Sequence, residues 1–166
     1  MRPLPNVWLG VSVEDQATAD ERILQLLGTP AALRFVSYEP ALGPVDLDCY
    51  LSRTNMPEFR GKPGFRDPLP GLGWVIAGGE SGPHARPAHI DWFRAARNQC
   101  AAAGVPFFLK QLGRCPISTR DEGEPWLELI DGDGKPTGEW GFDGADRAGG
   151  DPSEWPDDLR VREYPA

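Results

Sequence analysis

The sequence predicts an α/β fold: a parallel sheet of about four strands, followed by a small C-terminal β-rich appendage. Three observations carry this. Four short apolar runs alternate with segments of helical character, near-continuous apolarity marks strands covered on both faces, and the residue pattern changes after Gly113.

The first run is Val7–Val13 (VWLGVSV), rich in β-branched residues. It leads into Asp15–Leu27 (DQATADERILQLL), a predicted helix that opens on acids and stops at Gly28, as the helix dipole and C-cap preferences require. Leu33–Tyr38 (LRFVSY) is the second strand, and Asp46–Ser52 (DLDCYLS) is expected to form a helical turn. A Pro/Gly/Arg-rich loop, 55–73, separates it from the third strand, Trp74–Ala77 (WVIA). Asp91–Ala103 (DWFRAARNQCAAA) has helical spacing and ends at Gly104, and Val105–Leu109 (VPFFL) is the fourth strand. The order β-α-β-(α)-β-α-β implies crossover connections in one sheet. Beyond it, WLELI, DGDG and KPTGEW read as a hairpin on a DG-type turn, and DLRVREY as a short last strand or helix.

At 166 residues the chain is long enough for a sizeable core, and its 40% hydrophobic residues and six tryptophans exclude wholesale disorder. Twenty glycines and eighteen prolines signal many turns. The net charge of −8 is uneven: residues 115–166 hold 5 Lys/Arg against 14 Asp/Glu, whereas residues 1–114 hold 12 against 11. The expected division is therefore a body, 1–114, and an acidic appendage, 115–166, packed on it. Such a tail argues against nucleic acid as a partner. Cys49, Cys100 and Cys115 are odd in number and widely spaced, so they do not form a disulfide framework. The N-terminus lacks a signal-peptide layout and no apolar run approaches the ~20 residues that span a bilayer. A cytoplasmic protein without a membrane anchor is the expectation.

Each predicted strand runs into polar residues: the first into Glu14, the second into Glu39, the third through Gly78 and Gly79 into Glu80 and Ser81, the fourth into Lys110 and Gln111. In parallel α/β folds ligands bind at the carboxyl edge, where loops are free to be polar while the sheet stays rigid. Capping of the following helix competes as an explanation for Glu14, less so for Glu39 before Pro40, and least for Glu80, which precedes its helix by ten residues. The glycine pair is expected to turn the chain sharply and bring it against another group. Arg86, in SGPHARP, either holds a ligand carboxylate or phosphate or pairs with a nearby acid. Lys110 either faces a ligand or forms a structural ion pair. No thiol or imidazole spacing suits zinc or an iron–sulfur cluster, although glutamates alone can hold Mg²⁺ or Ca²⁺. Catalytic residues are not assigned. The ligand-binding candidates are Glu14, Glu39, Gly78, Gly79, Glu80, Ser81, Arg86, Lys110 and Gln111.

Taken together, PNVWLGVSVEDQ, RFVSYEPALGPVDL, WVIAGGESGPHARP, VPFFLKQLG and DLRVREYP resemble the C-terminal portion of a phage-associated family of unknown function. Its members resemble radical S-adenosylmethionine proteins and carry a three-cysteine motif near the N-terminus. The resemblance covers nearly the whole chain and implies a partial (β/α) barrel whose acid-bearing edge is the site, with S-adenosylmethionine as an implied ligand. The cysteine motif would lie upstream of Met1, and Cys49, Cys100 and Cys115 do not match it. The expectation is a phage-type protein without cluster chemistry of its own, binding a host or phage protein, a small ligand or a second copy. The alternative is one subunit of a split enzyme, completed by a cysteine-bearing N-terminal half.

Four parallel strands cannot close a barrel, so two open sheet edges are expected, with the acidic tail folding back as an antiparallel cover for one of them.

Overall fold

A computed structural model of the chain describes residues 3–51, 71–118, 128–129, 146 and 148–166. Its elements follow in the order β1 (Trp8–Val13), α1 (Gln16–Gly28), β2 (Leu33–Tyr38), α2 (Asp48–Leu51), β3 (Trp74–Gly78), β4 (Ala88–His89), α3 (Ile90–Ala103), β5 (Phe107–Gln111), β6 (Pro116–Ser118) and β7 (Glu128–Leu129). Strands β1-β2-β3-β5 form one four-stranded sheet in that order, with every pairing parallel. β4, β6 and β7 form a second, smaller parallel sheet. Among the described residues the main sheet is open rather than closed into a barrel.

Local chemistry explains the helix ends. The side chain of Asp15 accepts from the backbone N–H of Thr18 at 2.9 Å while Thr18 Oγ1 accepts from the N–H of Asp15, a reciprocal cap. The far end of α1 is satisfied by Arg34, whose Nε donates to the carbonyls of Leu26 and Thr29 and whose Nη2 donates to Thr29. That explains why an arginine only 8% exposed sits inside β2. α3 ends at Gly104 in the left-handed conformation (φ 67°) that a side chain would strain.

Alternation along the strands separates the two faces of the sheet. Val13, Val36, Tyr38, Val75, Ala77, Phe107 and Leu109 point into one continuous core with Ile23, Leu26 and Leu27 of α1 and Phe93, Ala96 and Cys100 of α3. The other face carries Trp8, Phe35, Trp74 and Phe108, one aromatic from each strand. Ring centroids lie 5.9 Å apart for Trp8–Trp74, 6.0 Å for Phe35–Trp74 and 6.1 Å for Trp74–Phe108. Tyr164 completes the cluster at 5.2 Å from Phe108. The ring of Phe35 fills the space where a Cβ on Gly10 would lie, which is why β1 carries a glycine at its centre. Trp8 and Tyr164 are exposed, and the other three rings half-buried.

The terminal segment belongs to this core. Trp155, 1% exposed, and Leu159 join the same buried cluster, and the indole N–H of Trp155 donates to Gly149 O at 2.9 Å. Asp158 accepts from Arg94 and Arg97 of α3 at 3.0 and 2.8 Å. Residues 161–163 then run antiparallel beside β5, with Leu109 N–H donating to Val161 O and Glu163 N–H to Phe107 O. One expected open edge of the sheet is therefore covered by the tail. DLRVREY does this as a 3-10 turn (Asp157–Leu159) and a single bridge rather than as a full strand or helix. The expected hairpin lies outside the described residues, apart from Glu128–Leu129, whose backbone pairs parallel to β6. The fourth main-sheet strand is a correction: expected at 105–109, it runs 107–111. Val105 still serves the end of α3, donating its N–H to Cys100 O at 2.9 Å.

Candidate functional site

The parallel order places the C-terminal ends of β1, β2, β3 and β5 on one edge, and Glu14, Glu39, Glu80 and Lys110 stand there together. Each charge has an opposite partner. Glu14 takes bonds from Arg22 Nη1 on both oxygens, at 3.2 and 3.1 Å. Arg22 is two turns along α1, a partner that a reading confined to strand ends does not reach. Because Asp15 supplies the helix cap, the carboxylate of Glu14 is not needed for one.

Glu39 accepts from Lys110 Nζ at 3.1 Å through Oε1. Its Oε2 is fully buried and has no hydrogen-bond partner among the described residues. It lies 2.9 Å from where a Cβ on Gly78 would be, so glycine at 78 makes room for this carboxylate. Lys110 owes its position to a register shift: Ala77 lies opposite Leu109 but Gly78 opposite Gln111, leaving Lys110 as an extra residue in β5. Such a bulge re-aims a side chain at a sheet rim.

Glu80 is held most tightly. Arg86 donates to its Oε2 from the backbone N–H and from Nε, both at 2.8 Å, and from Nη2 to Oε1 at 2.9 Å. The side-chain bonds from Arg86, and then the backbone one, hold the Glu80 carboxyl well below its ordinary range, at about 2. Pairing with a nearby acid, one of the two roles expected of Arg86, is met by Glu80. The same bonds close residues 80–86 into a loop, leaving Ser81 exposed on its outside. The Glu80 bonds, and to a smaller extent the charge of Glu14, push the Arg86 pKa upward, so the ends of β1 and β3 lie within electrostatic reach of each other.

Beneath the charges, three glycines let three chain segments touch. A Cβ on Gly79 would lie 2.1 Å from Leu112 O; one on Gly113 (φ 90°) would lie 2.8 Å from Gly79; one on Gly149 (φ 63°) would lie 2.4 Å from Gly113 O. Hydrogen bonds lock the crossing: Gly79 N–H to Gln111 O at 3.1 Å, Gln111 Nε2 to Gly79 O at 2.8 Å, Arg114 N–H to Glu80 O at 2.9 Å, and Leu112 N–H to Gly149 O at 2.9 Å. The expected close approach of the glycine pair is thus to β5 and, through Gly113, to the tail. Gly113 and Gly149 escape a motif reading because their need is created by the crossing.

Cys49, Cys100 and Cys115 sit on three different segments. Burial pushes the Cys100 thiol up to about 12, and Cys115 Sγ donates to Ala85 O at 3.2 Å. Among the described residues no three or more His, Cys, Asp or Glu side chains are grouped to hold a metal ion. These thiols do not fit an iron–sulfur cluster, which needs several thiolates at one point. No helix among the described residues is long and apolar enough to cross a membrane. A cavity of about 650 Å³ opens at the opposite rim, among Leu33, Arg34, Leu51, Leu72, Ala103 and Pro106 at the strands' N-terminal ends. It lies away from the charged edge.

Neither a curated protein nor a solved structure matches this chain. A family model matches residues 1–138, a span that includes all four main-sheet strands and every charged residue of the edge. The chain belongs to the family described as "Protein of unknown function (DUF5131)".

Proposed function

We propose that this chain is a phage-type binding protein, resembling the C-terminal half of a radical S-adenosylmethionine protein but without cluster chemistry of its own. It acts in the cytoplasm, and its contact surface for a small ligand or protein is the charged edge at the strand C-termini. The observation that carries the reading is the gathering of Glu14, Glu39, Glu80, Arg86 and Lys110 on one edge, fixed by a bulge and a glycine crossing. Rigid strands presenting polar side chains at that edge are the usual basis of ligand sites in parallel α/β folds. S-adenosylmethionine is the first ligand to test, since the resemblance implies it.

The test is an amide NMR titration of the labelled chain, with S-adenosylmethionine and then with the low-molecular-weight fraction of a cell extract. Saturable shifts at 14, 39, 78–81 and 110–111 are expected. Shifts confined to the cavity at the opposite rim would refute the assignment of the edge.

A second reading, a subunit of a split enzyme completed by a cysteine-bearing half, is favoured by a separate observation. Parallel sheets are ordinarily covered on both faces, yet Trp8, Phe35, Trp74, Phe108 and Tyr164 stand partly exposed on the second face. Co-expression with a half barrel bearing C-x-x-x-C-x-x-C tests it. A brown complex absorbing near ~400 nm, with stoichiometric iron and sulfide, would establish this reading over the first.

A further inference from the structure

Hydrogen-bonding capacity at the charged edge is unequally spent. A carboxylate only accepts, whereas an ammonium offers three donors and a guanidinium five. Glu80 accepts three bonds from Arg86, and Glu14 accepts on both oxygens from Arg22. Glu39 spends one oxygen on Lys110, and its other is sealed from solvent. The donors are in the opposite condition. Among the described residues Lys110 gives one bond from Nζ, and its side chain is 53% exposed. Arg86 donates to Glu80 from Nε and Nη2 and, among the described residues, spends no bond from Nη1, while its side chain is 57% exposed.

We propose that the ligand group taken by this edge is an oxyanion, a carboxylate or phosphate, received by Lys110 and Arg86. The proposal rests on the reading of the edge as the binding surface and adds its chemical class. The acids are not assigned the ligand, because each already accepts from a neighbouring cation. The acids instead hold the two cations in place: Glu80 grips one side of the planar guanidinium, so the remaining donors are presented in a fixed geometry.

The full chain, labelled for backbone amides and Arg Nε, is titrated with inorganic phosphate, with acetate and with putrescine, each against sodium chloride at equal ionic strength. Phosphate or acetate is expected to shift Lys110, Gln111 and Arg86 Nε saturably, the stronger of the two identifying the source. Lys110→Gln keeps a donor for Glu39 and is expected to weaken the effect about tenfold, the worth of a charged hydrogen bond. Lys110→Arg should stay within about twofold, since it preserves the charge, and it serves as the check should Lys110→Gln fail to fold. Shifts produced by putrescine alone would overturn the oxyanion class while leaving the edge as the binding surface. Shifts from phosphate or acetate that persist undiminished in folded Lys110→Gln, or no saturable shift with any of the three, would overturn the proposal itself.

Discussion

Replacing Gly79 with alanine tests the crossing that underlies the charged edge. The added Cβ would lie 2.1 Å from Leu112 O, 2.8 Å from Leu112 C and 2.9 Å from Gly113 Cα. All three are backbone atoms, so no side chain can swing away. Relief requires β3 and the end of β5 to separate by about an ångström, since real Cβ contacts are not found under 3.0 Å. Separation stretches the Gly79–Gln111 pair of hydrogen bonds and the Arg114-to-Glu80 bond. Overpacking of this kind costs roughly 1–3 kcal/mol, and each weakened bond adds up to about 1 kcal/mol. A total of about 1–6 kcal/mol is a large fraction of the ~5–15 kcal/mol that stabilises a typical domain. Urea unfolding followed by far-UV circular dichroism measures it. Gly82→Ala is the control: space around Gly82 is open, and only its φ of 125° is unfavourable. If Gly79→Ala stays within about 0.5 kcal/mol of the parent, the range of ordinary surface changes, the crossing is not as tight as the distances state.

Trp155→Ala should destabilise the whole chain by about 3–5 kcal/mol in the same assay, because it empties a buried indole site and frees Gly149 O. Unfolding of the tail alone, with the sheet intact, would argue against a shared core. Asp158→Ala should cost about 1–3 kcal/mol, since it removes acceptors from the nearly buried Arg94 and from Arg97; a neutral result would make those ion pairs incidental. Glu80 has a folded pKa of about 2 against an ordinary 4.5. Its contribution to stability is therefore present above about 4.5 and is lost as pH falls toward 2. A carboxyl-carbon NMR titration should show the low midpoint, and Arg86→Ala should raise it toward 4.5; an unchanged midpoint would assign the shift to another group.

Residue type and periodicity are enough to place the repeating strand-and-helix order and the polar strand ends. Val36, Tyr38, Val75 and Ala77 announce their strands because positions that face a covered core must be apolar, and Asp15 and Gly104 announce helix ends because backbone groups there need particular partners. Those are local requirements, so they are written locally. Contacts between distant segments decided the rest. Val105 and Gln111 could not be assigned to the right side of a strand boundary, since the helix cap and the bulge opposite Gly78 set those limits. β4, β6 and β7, two or three residues each, are too short to show a period. The pairing of Glu14 with Arg22, the sealing of one Glu39 oxygen, and the docking of Trp155 under a glycine crossing depend on three-dimensional proximity. A chain can specify which residues reach an edge through its own periodicity, but which of their donors and acceptors remain open is decided only when the other segments arrive to occupy them.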